Sequence, residues 1–450
     1  MDLYTKLVSY ALFPIQEHLK KHNTVAIRKQ MEVSQWWTDD QLREFQLTRL
    51  RELLTHAQAH VPYYRQLFSE IGFKAKEINS LNDLASLPFL DKSKIRADTD
   101  ALKSDHAIGL SKFNTGGSSG EPLIFYIGKR RVSHDVAAKW RATRWWDVDI
   151  GDKEIVVWGS PIELGAQDGI RGLRDRLLRT TLLTAFEMSP QKLKQFLEVI
   201  RSTRPKMLFG YPSAFSFIAN YAEENGQTMN NLGIKVAFVT SERLYDDQRE
   251  KISRVFGCPV ANGYGGRDAG FIAHECPEGG IHVTAEDIIV EIIDPQGNTL
   301  PVGEAGEITV THLATSDFPF IRYRTGDVGM LDDKQCKCGR GLPLLKEIQG
   351  RSTDFLVTQD GAVMHGLALI YILRDLPQIR TFKIVQESID LTRISVVSDN
   401  RLTQPLVDQI RNSFKERLGQ NVEIIIDEVT DIAPEKSGKF RYVISKIAPI

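Results

Sequence analysis

The chain has 450 residues, 42% of them hydrophobic and 26% charged, and 57 Lys and Arg against 58 Asp and Glu leave a formal net charge of −1. Such ordinary usage at this length allows a large buried core in about three compact units, and near-neutrality gives no hint of a nucleic-acid or acidic-membrane partner. No apolar run approaches the roughly 18 residues of a membrane-spanning helix. The opening stretch MDLYTKLVSYALFPIQEHLKK has a short apolar run broken by Pro14, without the basic start or small-residue cleavage site of a secretory leader. It reads as a helix that either docks on the core or lies on a membrane surface. With no export signal, the four cysteines are expected in a reducing cytoplasm, where burial or metal binding is favoured over disulfides.

Residues 1–105 read mostly as helix. Thr38-Asp39-Asp40-Gln41 forms a capping box, with Thr38 accepting from early N–H groups and Gln41 reaching back. Behind it Leu42, Phe45, Leu50, Leu53, Leu54 and Ala57 recur at helical spacing, and Pro62 stops the helix. From residue 113 the short apolar runs LIFYI, EIVVWG, KMLFGY and KVAFVTS alternate with amphipathic segments such as SPQKLKQFLEVIRS, which indicates an α/β layer with parallel strands. Between about 280 and 350, HVTAEDIIVEIID and GEITVTHL flank the turn former DPQGN and predict antiparallel pairing. A boundary is expected at Gly350-Arg351-Ser352-Thr353-Asp354, followed by RISVVS, VDQIRNSFKERL and VEIIID. The expected fold class is α/β, with a large N-terminal domain over residues 1–350 and a small α+β domain over 351–450.

Residues 113–122, FNTGGSSGEP, pack three glycines and three hydroxyls between strand-like segments. That composition suits a flexible linker or an anion cradle, because glycines let N–H groups turn inward and hydroxyls add donors. Four further stretches follow: ANGYGGRD at 261–268, RYRTGD at 322–327, GRSTD at 350–354 and PEKSGKFR at 434–441. Each alone reads as a turn, a salt-bridge cluster or a solvated loop.

Taken in order, these five stretches resemble the motifs of the adenylate-forming ligase superfamily. Within it they are most similar to the phenylacetate–CoA ligase-like branch, which includes CapK-type proteins of surface polysaccharide gene clusters. The resemblance runs from about residue 55 to the C-terminus. It implies a large adenylate-forming domain of layered sheets and helices, with a small mobile α+β lid that adopts two orientations about a hinge at Asp354. It also implies that Thr115, Gly116, Gly117, Ser118, Ser119 and Gly120 contact ATP phosphates. Glu121 stands where the family often has Lys, so Mg²⁺ or another group must supply charge there. Asn262, Gly263, Tyr264 and Gly265 fall in the segment whose aromatic ring covers adenine. Asp268 takes the place of the acid that helps hold Mg²⁺, one methylene shorter than the usual Glu. Asp327 would bind both ribose hydroxyls, since two carboxylate oxygens can each accept one O–H, and Arg351 would contact ribose or phosphate. Lys439 matches the adenylation lysine, whose ammonium offsets charge as a carboxylate attacks the α-phosphate; Lys436 is the substitute.

The cysteines add a separate signal. Cys276, Cys336 and Cys338 with His282 make a Cys₃His set suited to a closed, structural Zn²⁺ site. His274 is a rival ligand, buried free thiols are the alternative, and Cys258 reads as core.

The reaction implied is ATP- and Mg²⁺-dependent conversion of a small-molecule carboxylic acid to an acyl-adenylate. The acyl group would then pass to coenzyme A, or to an amine or hydroxyl of a sugar or amino acid. The acid pocket is expected from Trp158, Tyr211, Ser213, Ser241 and Glu242, with Phe209 and Tyr211 either flanking an aromatic acid or packing as core. Glu242 would repel a plain acid or select one bearing an amine. A non-catalytic nucleotide-binding protein of an envelope pathway and an AMP-transferring enzyme are the rival readings. The chain is expected to be cytoplasmic, a monomer or homodimer, with no nucleic-acid partner and no transmembrane segment.

Overall fold

The computed structural model describes residues 2–114, 123–158, 169–185, 188–348, 355–398, 400–432 and 442–447. Two short strands, β1 (Ser111–Asn114) and β2 (Ile124–Ile127), pair antiparallel with Asn114 opposite Ile124. They are followed by β3 (Glu154–Trp158), β4 (Thr180–Thr184), β5 (Met207–Gly210), β6 (Val236–Thr240), β7 (Val260–Gly266), β8 (Gly270–Glu275), β9 (Ile281–Val283), β10 (Ile288–Ile293), β11 (Ala305–His312), β12 (Tyr323–Asp332) and β13 (Leu344–Ile348). These eleven form one sheet in the order β4-β3-β5-β6-β7-β8-β9-β13-β12-β11-β10.

The half from β4 to β7 is parallel. Its connections include the helices Pro190–Thr203, Pro212–Glu224 and Asp246–Phe256. Every residue of β5 and β6 is buried, as parallel strands covered on both faces require. The half from β7 to β10 is antiparallel. As expected, DPQGN turns β10 into β11, with Ile288 opposite His312. HVTAEDIIVEIID, read as one strand, is two. β9 pairs with β8 and β13, whereas β10 pairs with β11. The break falls at Glu286 and Asp287, whose buried carboxylates meet Arg141 at 2.5 Å and Arg49 at 3.1 Å. Burying an acid with its cation fixes the chain where a continuous ladder would leave it unpaired.

The N-terminal region is helical, as expected. Thr38 and Gln41 form the capping box of the Asp39–His60 helix. Leu42, Leu50, Leu53, Leu54 and Ala57 are buried against the antiparallel half of the sheet, and Phe45 is half-buried. Pro62 both follows the end of that helix and opens the next, Pro62–Glu70, where its missing N–H has no role.

At the C-terminal end β14 (Phe355–Val357) pairs with β15 (Val363–His365). β16 (Ile379–Ser388) and β17 (Leu391–Ser398) form a hairpin extended by β18 (Glu423–Glu428) and β19 (Val443–Ser445). The helices Leu367–Arg374 and Gln404–Leu418 belong to the same unit. Phe382, Ile384, Ile394, Val396, Ile410 and Phe414 make a separate core. The architecture is α/β with an α+β C-terminal unit. Among the described residues no helix is long and apolar enough to cross a membrane. The boundary expected at 350–354 lies outside the described residues.

Candidate nucleotide and acid site

Neighbouring parallel strands end on one side of the sheet, and ligands of open α/β sheets bind beyond such carboxyl ends. Trp158 ends β3, Tyr211 and Ser213 follow β5, Ser241 and Glu242 follow β6, and Tyr264 lies near the end of β7. The half-buried Trp158 ring stacks on Tyr211 with centroids 4.5 Å apart and planes 24° apart. The Ser213 hydroxyl donates to Glu242. Ser241 has φ of 73°, a left-handed conformation that turns the chain sharply at the end of β6. Phe209 and Tyr211 are both buried in core clusters, so their packing role is real; the exposed face of this group is Trp158 with Ser241 and Glu242.

The candidate nucleotide residues come from both halves of the sheet. β11 and β12 lose register between Glu307 and Thr309: Val328 lies opposite Glu307 and Arg324 opposite Thr309. The extra residues Thr325, Gly326 and Asp327 therefore bulge out of the ladder, a device that re-aims a side chain. The bulge is held by Thr325 Oγ1, which donates to the Ile308 carbonyl at 2.7 Å and accepts from Asp327 N at 3.1 Å. Gly326 N donates to Glu307 Oε1 at 3.1 Å. Asp327 then accepts from the Tyr264 hydroxyl at 3.1 Å. Burial, and after it the Asp327 charge, push the Tyr264 phenol well above its ordinary range, so it stays a neutral donor.

Asp268 is fixed from two directions. Tyr323 donates its hydroxyl to Asp268 Oδ2 at 2.6 Å. The buried Arg131, on the Lys129–Arg144 helix, donates to the carbonyls of Asp268 at 3.3 Å and Arg267 at 3.4 Å. Asp135, one helical turn on, holds Arg131 at 2.8 Å. Glycine leaves room for this carboxylate: a Cβ on Gly266 would stand 2.6 Å from Asp268 Oδ1 and displace it. Arg267 reaches the Asn114 carbonyl at 3.5 Å. That places the base of the β1–β2 connection, where the glycine- and serine-rich stretch begins, next to the Tyr264 segment.

The cysteine set is assembled as expected. Ligand atoms of Cys276, His282, Cys336 and Cys338 all lie within 4.8 Å of one another. Cys276 Sγ is 3.5 Å from Cys336 Sγ, and Cys338 Sγ is 3.2 Å from His282 Nε2. Tetrahedral zinc with Zn–S bonds of about 2.3 Å sets its sulfurs about 3.8 Å apart, so the set fits a zinc-sized cation. His282 Nδ1 faces the Leu342 carbonyl at 3.3 Å, the partner that leaves Nε2 as the ligand atom. Burial brings the His282 ring down to about 4, which keeps it neutral. A Cβ on Gly280 would come within 2.6 Å of Cys336 Sγ. The rival His274 is fully buried and outside the set, and Cys258 is core.

A family described as AMP-binding enzyme matches residues 178–315, and one described as CapK C-terminal domain matches residues 356–446. The chain thus joins an AMP-binding enzyme region to a CapK C-terminal domain and is similar to adenylate-forming ligases of the CapK and phenylacetate–CoA ligase kind. It is 24% identical over 417 residues to protein CapK of Staphylococcus aureus, covering 90% of each chain. To phenylacetate-coenzyme A ligase of Pseudomonas putida it is 29% identical over 330 residues, 71% of this chain and 72% of that one. The solved 2-hydroxyisobutyryl-CoA ligase, in complex with 2-HIB-AMP and CoA in its thioesterification state, shares the fold. The TM-score is 0.66, with 21% identity and 91% of each chain covered.

In this chain the structure brings together Tyr264 with Asp327, Ser213 with Glu242, Trp158 with Tyr211, and the four residues of the cysteine and histidine set. Thr115, Gly116, Gly117, Ser118, Ser119, Gly120, Arg351, Asp354 and Lys439 lie outside the described residues. Three participants escape a motif reading. Tyr323 sits inside RYRTGD, yet nothing local says its hydroxyl meets Asp268. Arg131 carries only the weak signal of an acid four residues on. Glu275 accepts from Asn262 N at 2.7 Å and pairs with Arg249 at 2.8 Å, pinning β7 to β8. Arg322 points away from the site and holds Glu291 at 2.9 Å and the Leu87 carbonyl at 2.6 Å, so this motif arginine is scaffold.

Proposed function

We propose that this chain uses ATP and Mg²⁺ to convert a small carboxylic acid to an acyl-adenylate with release of pyrophosphate, and then passes the acyl group to coenzyme A. The observation that carries the reading is the convergence of Tyr264, Asp327 and Asp268 beyond the parallel strands, beside the base of the glycine-rich stretch. In it Asp327 accepts the ribose hydroxyls, oriented by Tyr264. Asp268, held by Tyr323, offers hard oxygen ligands to Mg²⁺, which supplies positive charge to the phosphates. Thr115–Gly120 contact those phosphates, Arg351 contacts ribose or phosphate, and Lys439 stabilises the α-phosphate charge. Trp158, Tyr211, Ser213, Ser241 and Glu242 line the acid side; the Ser213–Glu242 hydrogen bond gives Glu242 a partner that moderates its repulsion of a substrate carboxylate. Residues 1–350 act as the adenylation domain and 351–450 as a lid turning at Asp354. Cys276, His282, Cys336 and Cys338 hold a structural Zn²⁺ that stiffens β8 and β9 behind Tyr264. Its substrates ATP and coenzyme A put the reaction in the cytoplasm.

The test is pyrophosphate release from ATP and Mg²⁺ over a panel of aryl, fatty, hydroxy, amino and sugar acids, with thioester formation measured on adding coenzyme A. One acid class is expected to support release. Asp327→Ala is expected to raise the KM for ATP by about tenfold or more, since a carboxylate accepting two hydroxyls is lost. No release with any acid despite ATP binding would overturn the reading.

A further inference from the structure

The N-terminal helical segment turns the polar Thr5, Ser9 and Glu17 inward together with Val8 and Phe13. It runs as Leu3–Leu7, a π turn over Val8–Leu12, and Phe13–Leu19. Thr5 donates to Asp152 at 2.8 Å, Ser9 donates to Asp149 at 3.0 Å, and Glu17 accepts from Thr24. Phe13 adds an edge-on ring contact with Trp140 at 5.1 Å. On the opposite face Leu3, Leu7, Tyr10, Leu12, Ile15 and Leu19 are exposed, from 37% at Leu12 to 86% at Leu3. The steps from 3 to 7, 12, 15 and 19 stay on one face because the π turn absorbs the five-residue step. A surface helix of a soluble body does the reverse, hiding leucines and wetting its hydroxyls.

The apolar face continues onto a second element. Tyr4 donates its hydroxyl to the Leu177 carbonyl at 3.0 Å and lies under Arg179, which is paired with Asp2 at 2.8 Å. Exposed Leu177 and Leu173 of the Gly169–Leu178 helix therefore extend the patch. Its charge is one-sided. Lys6, Lys20 and Lys21 are exposed, as is Arg176 on the adjoining helix; the single acid between residues 3 and 22, Glu17, is buried and lies 3.7 Å from Lys20. The chain as a whole carries −1, so this positive collar is local.

We propose that this face binds an anionic lipid surface, lying in the headgroup region with Leu3, Leu7, Ile15 and Leu19 inserted and the lysines on the headgroups. Aliphatic insertion with basic residues on the flanks is the signature of interfacial helices, and long lysine stems keep their charge at the headgroup level. A two-fold pairing of copies through the same face sets Lys6 of one against Lys20 and Lys21 of the other, like charge on like. The bilayer is thus the occupant that the charge pattern favours.

The full-length protein is floated with vesicles of phosphatidylcholine alone and of phosphatidylcholine with phosphatidylglycerol. Binding is expected to the anionic vesicles and to weaken in high salt. The triple variant Leu7→Glu, Ile15→Glu, Leu19→Glu is expected to lower vesicle affinity by about tenfold or more with an unchanged melting curve, as all three side chains are exposed. Lys20→Gln with Lys21→Gln is expected to lower it by about tenfold. Failure of the unaltered protein to float with either vesicle, or equal flotation of the triple variant, would overturn the proposal. So would a salt-resistant dimer that the triple variant dissolves, which would make a second copy the occupant.

Discussion

Lys439→Ala is expected to lower acyl-adenylate formation by about 10²–10³-fold while ATP binding stays near that of the unaltered protein. Attack of a carboxylate on the α-phosphate concentrates negative charge that exists only near the transition state. A group aimed at that charge contributes to rate and hardly to ground-state affinity. Removing one such donor costs on the order of 10²–10³ in rate. Pyrophosphate exchange measures the first quantity and equilibrium ATP titration the second. Lys436→Ala, three residues away, serves as the control and is expected to retain exchange. A Lys439→Ala protein that exchanges normally would remove this lysine from the chemistry, and equal loss in both variants would point to the loop's fold.

Chelation at the proposed metal set of Cys276, His282, Cys336 and Cys338 is the second large expected effect. A ligand bound by the native state alone stabilises it by about 4 kcal/mol when present at a thousand times its Kd. The four ligand atoms within 4.8 Å come from the turn between β8 and β9, from β9 itself and from the segment before β13, and they are brought together by folding. The purified protein is expected to carry one zinc per chain by elemental analysis, and chelation is expected to lower the melting temperature by several degrees. ATP affinity is expected to fall with it, because β8 is the antiparallel partner of the strand that carries Tyr264. A metal-free protein whose melting curve ignores chelator would identify the set as reduced thiols with a buried histidine.

Much of the molecule was legible locally. The capping box at Thr38 and Gln41 involves atoms three residues apart, so a sequence window contains the whole interaction. Apolar runs of strand length alternating with amphipathic helices announced a parallel layer, because a strand covered on both faces has no polar side to show. The Cys₃His composition was readable as a candidate cation site, and the structure gathers its four ligand atoms. The motif order pointed to the family without coordinates.

What needed the tertiary structure is whatever depends on pairing across long separations. Tyr264 and Asp327 meet across 63 residues, and Tyr323 and Asp268 across 55. Neither contact follows from local propensity, since the bulge that presents Asp327 exists only once β11 pairs with β12. The division of HVTAEDIIVEIID into two strands was hidden for the same reason. Its period is that of a strand throughout, and the interruption is imposed by Arg141 and Arg49 arriving from distant helices.

The N-terminal helix shows the division most directly. Its sequence determined a helical apolar face, and left open whether that face met the core or a membrane. Periodicity reports that one side of a helix differs from the other, with no information on which side the body occupies. That choice was made by Asp149 and Asp152, whose carboxylates take the Ser9 and Thr5 hydroxyls and so turn the leucines outward.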